Sequence, residues 1–356
     1  PNGSGGAYAQ GIHSDMCAAV EKAFAEVEPR LRAVPGIGQW TAAGVESLTW
    51  GSADAVILGD VKLPELVCWF LAHEEWGDDT RMVELLEPYN IDKFITVMDV
   101  SEPIECNWKV VMDAFEEGYH IDGIHPQLLQ VLHINPRTAR YRFFENHSVA
   151  VAPFEVAGAS AQEQVEGMLA LPETFPGTVA VIPRFQELLA PYQDENGKVQ
   201  FPDDVTPRAL LQQATREVLT GMGLDVSALT DDQMVDNQGW VLFPNYFMTV
   251  RAGECHVIMA APHPDGDPNR CIWHVASYMY VPEEFRDAVR AEPIVVDTPG
   301  SYKYFEALQQ DYEQMPRQQK GLRNDRLDHM SLVKEEVVIA HFHSVVDRYM
   351  TQTASR

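Results

Sequence analysis

Basic side chains are scarce in this chain: 26 Lys and Arg stand against 53 Asp and Glu, leaving a formal charge of −27 across 356 residues. Such a field repels phosphate backbones and anionic lipid surfaces, which argues against nucleic-acid and membrane partners. Cysteine is equally sparse. The five residues Cys17, Cys68, Cys106, Cys255 and Cys271 are odd in number and scattered, a pattern that fits free thiols in a reducing compartment rather than a disulfide framework. No apolar run approaches the roughly 18 residues of a membrane span, and the N-terminus lacks the charged and apolar regions of a secretory signal, so a cytoplasmic location is expected. A Walker-type loop, a dinucleotide glycine loop and a Gly-x-Ser-x-Gly elbow are all missing, which removes support for nucleotide and serine-hydrolase chemistry. What is plentiful is apolar residues, 46% of the chain, enough for a large core.

Along the chain, apolar spacing predicts a helix over 14–33, and residues 1–75 form a mixed region of little diagnostic value. A strand is expected over 94–100 and a helix over 108–120, followed by two strands between 138 and 154. A long, partly helical insertion of about 157–229 comes next, its clearest helix at 207–222. Three strands over 238–250, 254–261 and 270–281 read as an antiparallel meander, and helices return at 282–291, 302–314 and 333–350. Strands sandwiched between runs of helices predict an α+β fold.

The segment richest in chemistry runs Asn107-Trp108-Lys109, then Asp113, then Glu117-Gly118-Tyr119-His120, then His125-Pro126. On one continuous helix His120 and His125 would point about 140° apart, so they can share a metal only if the helix breaks between them. Gly123 and Pro126 are candidates for that break. Glu117, one helical turn before His120, is placed to hold that imidazole. Far downstream, Asp297, Asp311, Asp325 and Asp328 are carboxylates that periodicity alone does not tell apart as companions to this pair.

Asn-Trp-Lys followed by Glu-x-Tyr-His and His-Pro resembles the iron-binding segment of the Rieske non-haem iron ring-hydroxylating oxygenases. Gln310-Asp311-Tyr312 with Gln319 and Gly321 is similar to the second motif of that family. The resemblance spans about residues 75–350 and implies a helix-grip (START-like) antiparallel sheet with a long C-terminal helix enclosing an apolar pocket. It implies that His120, His125 and Asp311 bind mononuclear Fe(II), with O2 as co-substrate and Gln310 replacing the usual acidic neighbour of the ligand Asp. Glu117 would carry electrons to the site from a neighbouring subunit of a homotrimer. Asp113, Asn107 and Tyr119 are expected to support the ligands from behind. The substrate would be small, hydrophobic and aromatic, to be dihydroxylated, monooxygenated or demethylated, and electrons would come from a ferredoxin or an NAD(P)H reductase. Trp240, Phe243, Phe247, Met248, Met259, Trp273 and Met279 are the strand residues expected to line the pocket.

Members of that family also hold a [2Fe-2S] Rieske cluster on Cys-x-His and Cys-x-x-His. Cys271-Ile272-Trp273-His274 matches the second half alone, inside an expected strand, and reads as a core cysteine and histidine. The chain opens Pro1-Asn2-Gly3-Ser4-Gly5-Gly6, linker-like and without Met, so a Rieske domain is expected upstream of residues 1–75, or failing that on another chain. The catalytic mononuclear-iron domain is then 76–356. His341-Phe342-His343 and the pair His13 and Cys17 read as structural. Two rivals remain open: a helix-grip ligand-binding module with an incidental metal site, and a structural subunit of an oxygenase complex.

Overall fold

The computed structural model describes residues 80–128, 139–153, 159–327 and 329–354; the helix expected over 14–33, the pair His13 and Cys17, and Asp328 lie outside them. The strands are β1 (Ile95–Ile104), β2 (Arg140–Phe143), β3 (Ser148–Ala152), β4 (Asn237–Leu242), β5 (Tyr246–Arg251), β6 (Glu254–Pro262), β7 (Cys271–Met279) and β8 (Ile294–Val295). They form one sheet in the order β2-β3-β4-β5-β6-β7-β1-β8. Every pairing is antiparallel except that of β1 with β8. Helix α1 (Thr80–Leu86) precedes β1, and α2 (Trp108–Phe115) and α3 (Ile121–Ile124) follow it. Between β3 and β4 lie α4 (Ala161–Leu169), α5 (Leu171–Thr174), α6 (Ile182–Leu189), α7 (Pro207–Gly221) and α8 (Asp231–Val235). Then α9 (Glu283–Val289), α10 (Glu306–Leu322) and α11 (Val337–Ala354) complete the described chain. The fold is α+β.

Local chemistry explains the boundaries. Asn107 caps α2, its side chain accepting from the Lys109 N–H at 3.0 Å, and Thr206 caps α7 with Pro207 in the first turn, where a missing N–H costs nothing. Ser160 with Glu163 and Thr230 with Gln233 form reciprocal capping boxes that start α4 and α8. The strand expected over 238–250 is two strands, β4 and β5, turning at Phe243–Asn245, because Pro244 has no N–H to give a ladder.

The core lies between one face of the sheet and α2, α10 and α11, with Val111, Met112, Trp273, Met315, Val338 and Phe342 each at most 2% exposed. The other face is covered too: Trp240, Met248, Val250 and Val257 are all buried. Helix α10 buries Leu308, Asp311, Tyr312, Met315 and Gln319, one stripe at helical spacing that carries an acid inward among apolar residues.

A buried imidazole between β2 and β3 gives the fold an acid weakness. His147 is 5% exposed and its Nδ1 accepts the Phe243 N–H at 3.0 Å, a bond that only the neutral ring can make. Burial, with His341 nearby, pushes its pKa down to about 4. Stability is therefore full above the ordinary histidine value of 6.5 and falls as pH drops from there toward 4, since the unfolded chain takes up the proton first. Urea titrations at pH 7 and pH 5 should differ by about 2 kcal/mol from this group, and His147→Gln should remove that part of the difference.

Candidate metal centre and its cavity

The two histidines do not sit on one long helix. Helix α2 stops at Phe115, five residues before the expected end, and His120 and His125 flank the single turn of α3. Gly123 lies inside that turn, with no positive φ and nothing within 4 Å of where a Cβ would stand; the break falls instead at residues 116–119. Its physical reason is the Glu117 side chain, whose Oε2 accepts the N–H groups of both Tyr119 and His120, competing with helical partners for those donors.

The same carboxylate takes the His120 Nδ1 on its other oxygen at 2.7 Å. His125, 2% exposed, has its Nδ1 2.7 Å from Gln310 Oε1, which also accepts from Gln127 Nε2 at 2.7 Å. An amide oxygen accepts only, so His125 donates from Nδ1 and its Nε2 is left as a lone pair. That Nε2 lies 2.9 Å from Asp311 Oδ1, and the Nε2 of His120 lies 3.8 Å from the same oxygen. Burial lowers the His125 pKa, but hydrogen bonding and charge from Asp311 outweigh it and hold the value above 6.5.

Two lone-pair acceptors 2.9 Å apart repel unless a cation lies between them. A proton serves at low pH; a divalent metal serves better, because it engages both imidazoles together. A metal bonded to each donor at about 2.1 Å holds neighbouring donors about 3 Å apart, and here one atom from each of the three residues lies within 4.8 Å of the others. Two imidazoles and one carboxylate, with their outer atoms fixed by Glu117 and Gln310, suit a ferrous ion with open positions.

The competing acids Asp297 and Asp325 are exposed. Of the residues expected to support the ligands, only part reaches them. The Tyr119 ring is 50% exposed and contributes its backbone N–H to Glu117. Asn107 works at a distance: its N–H donates to Gln319 Oε1 at 2.6 Å, tying the start of α2 to α10 and so joining the two ligand-bearing segments. Asp113, 4% exposed, accepts from His343 Nε2 on α11 at 2.9 Å. Gln310, noticed in the sequence only as a departure from a pattern, turns out to orient His125, and Gln127 was missed altogether; neither carries a spacing signal across 183 residues. The remaining motifs are occupied structurally: Cys271 sits against Cys106, His274 pairs with Asp99 at 2.7 Å, and His341 contacts the Phe144 carbonyl at 3.1 Å.

His120, His125 and Asp311 lie in the wall of a cavity of about 220 Å³. Its sheet wall is made by residues that are cross-strand partners and so share one face: Ala150 with Gly239, Gly239 with Thr249, and Phe247 with Ile258. Gly239 leaves room there for the Phe247 ring, which would stand 3.2 Å from a Cβ. Phe115, Tyr141, Phe175 and Phe305 add aromatic surface, Phe175 coming from the insertion just after α5. Of the seven residues expected to line the pocket, only Phe247 does. Trp240, Met248 and Met259 alternate to the opposite face, Trp273 packs beneath α2 against Phe115, and neither Phe243 nor Met279 borders the cavity. The helical wall comes from α10 through Leu308 and Asp311, with α11 packed behind it against Trp108 through Phe342.

The sequence model of the family described as ring hydroxylating alpha subunit (catalytic domain) matches residues 86–352. No curated protein sequence matches the chain significantly. Among solved structures, a quaternary ammonium Rieske monooxygenase in complex with an inhibitor aligns at 13% identity and a TM-score of 0.43, over 78% of this chain and 55% of that one. Dicamba monooxygenase bound to dicamba aligns at 7% identity and a TM-score of 0.39, over 74% and 60%. The chain thus spans less than two thirds of the length of either structure. Among the described residues no helix is long and apolar enough to cross a membrane.

Proposed function

The chain belongs to the ring hydroxylating alpha subunits, matching their catalytic domain, and from that premise we propose that it is the oxygenase domain of a Rieske-type enzyme, with Fe(II) held by His120, His125 and Asp311. The observation that carries this reading is the convergence of two imidazole Nε2 atoms on one buried carboxylate in the wall of an apolar cavity. Iron held there would supply the redox chemistry for dioxygen activation. The chain's own residues do the rest. Glu117 and Gln310 keep both imidazoles in the tautomer that leaves Nε2 free. The aromatic walls take up a small hydrophobic, aromatic substrate and exclude bulk water from the reacting carbon. Glu117, bonded to His120, would also pass electrons from a Rieske histidine of a neighbouring subunit in a homotrimer, the cluster lying in an upstream domain or on another chain. A ferredoxin or an NAD(P)H reductase would supply those electrons, in a reducing compartment that keeps Cys106, Cys255 and Cys271 as free thiols. Ring dihydroxylation, monooxygenation and demethylation all fit this arrangement.

The test is isotopic. The protein, supplied with a Rieske cluster on the same or another chain, NADH, a reductase and ¹⁸O2, should place labelled oxygen in product from an aromatic substrate panel, and His120→Ala should place none. Iron-loaded protein that binds cavity ligands but never incorporates label would replace this reading with a ligand-binding module.

A further inference from the structure

Glu116, the residue that follows α2, is the one acid of the cavity lining without a partner among the described residues. It is 2% exposed, it borders the cavity, and both of its carboxyl oxygens are closed to solvent, that of the cavity included, with no hydrogen bond to either, so a ligand meets them when the side chain turns toward the cavity. Each neighbouring acid is engaged: Glu117 with His120, Asp311 with His125, and Asp113 with His343. A buried carboxyl with no donor is costly for a fold to keep, and an apolar residue at the same place would remove the cost. Retention of such a group at the edge of a binding cavity points to a donor that arrives from outside.

The surroundings define that donor. The described lining contains the acids Glu116, Glu117 and Asp311 and no Lys or Arg. With Asp311 and Glu117 engaged at the proposed metal site, an anionic substrate away from the metal would meet Glu116 with no basic side chain in the described lining to balance it, whereas a cation would find it complementary. The remaining wall is aromatic, with Phe115, Tyr141 and Phe247 among it, suited to an aryl or alkyl body and to the face of a positive group. Two unmet acceptor oxygens call for N–H donors as well as charge.

We propose that the substrate of this site is a hydrophobic amine whose protonated nitrogen donates N–H hydrogen bonds to Glu116 while its apolar body lies against the aromatic wall. The inference rests on the reading of the cavity as an oxygenase substrate site and narrows its substrate class. Burial, reinforced by the charge of Asp113, pushes the Glu116 carboxyl well above the usual carboxylate range, and an arriving ammonium acts against that shift by favouring the ionised, acceptor-only form.

Calorimetric titration of the iron-loaded full-length protein with four probes tests this: 2-phenylethylamine, its quaternary trimethylammonium analogue, propylbenzene and 3-phenylpropanoate. Wild type should bind the amine about 10- to 100-fold more tightly than each of the others, the factor expected of a charge-assisted hydrogen bond. Glu116→Gln should erase that preference and leave propylbenzene binding unchanged. Glu116→Leu should do the same and raise the unfolding temperature of the ligand-free protein, a gain that separates loss of recognition from loss of fold. Equal binding of all four probes, no binding of any, a quaternary analogue bound as tightly as the amine, or an amine preference that survives Glu116→Gln overturns the proposal. If ¹⁸O incorporation persists while Glu116→Gln keeps full amine affinity, the substrate assignment fails and the oxygenase reading stands. If the amine preference depends on Glu116 but no label is ever incorporated, the recognition stands and the oxygenase reading fails.

Discussion

Asp311→Ala should leave the protein folded and unable to hold iron. Wild type reconstituted anaerobically with Fe(II) and passed through a desalting column should retain about one ion per chain, as a facial triad demands, and the variant essentially none. The reason lies in the geometry of charge. Asp311 is the only anion among the three donors, and without it two neutral imidazoles must hold a dication in a largely apolar wall. The loss should exceed the roughly 10- to 100-fold that removing a partner behind a ligand costs, which is the effect expected of Gln310→Ala through its bond to His125. Asp297→Ala and Asp325→Ala, at exposed positions, should retain iron as wild type does. The iron-free variant should keep the far-UV circular dichroism and a cooperative unfolding transition like those of iron-free wild type, so low iron cannot be ascribed to a lost fold. Full iron retention by Asp311→Ala would remove this residue from the ligand set.

Glu102→Ala should produce a large loss of stability. Glu102 is 1% exposed and organises the end of β1: Oε1 accepts from the Tyr304 hydroxyl at 2.6 Å, and Oε2 accepts from the Gly300 N–H at 2.9 Å and the Tyr312 hydroxyl at 3.1 Å. Trp273 Nε1 in turn donates to Tyr304 at 3.0 Å. Burial together with the Glu102 carboxylate pushes both phenols well above the ordinary tyrosine range, so they remain donors at every pH at which the protein is folded. Truncation strands buried donors at roughly 1–3 kcal/mol each; relief of the buried charge offsets part of this, and a net loss of about 3 kcal/mol is expected in urea titrations. Tyr312 adjoins Asp311 on α10, so iron affinity should fall as well. Tyr304→Phe combined with Tyr312→Phe in the Glu102→Ala background should cost less than the separate losses added together, since the stranded hydroxyls are then gone. Strict additivity would mean that the three side chains do not act as one network.

Much of the site was legible because its parts are local or periodic. Glu117, His120 and His125 fall within nine residues, a short motif whose proposed metal role comes from its resemblance to the family's iron-binding segment. The stripe Leu308, Asp311, Tyr312, Met315 and Gln319 marks Asp311 as the inward-facing acid among its competitors, although periodicity was not enough to choose it before the burial of α10 was known. The helix break was misplaced because its cause is a side chain competing for N–H groups rather than a glycine or proline. The cavity wall was misread for a different reason. Both faces of the sheet are buried, so aromatic and methionine residues occur on each, and hydrophobicity cannot tell the core side from the cavity side.

By itself the sequence determined the fold class, through capping and alternation between near neighbours, and the family, through short motifs that resemble its iron-binding segments, with His120, His125 and Glu117 as the candidates they mark. Only the tertiary structure decided that Gln310 and Gln127 fix His125, that Phe247 rather than Trp240 faces the cavity, and that Glu116 is buried without a donor. Each of these depends on which strand and helix faces meet across the core, and that is settled by the packing of segments far apart in the chain, where no local pattern operates.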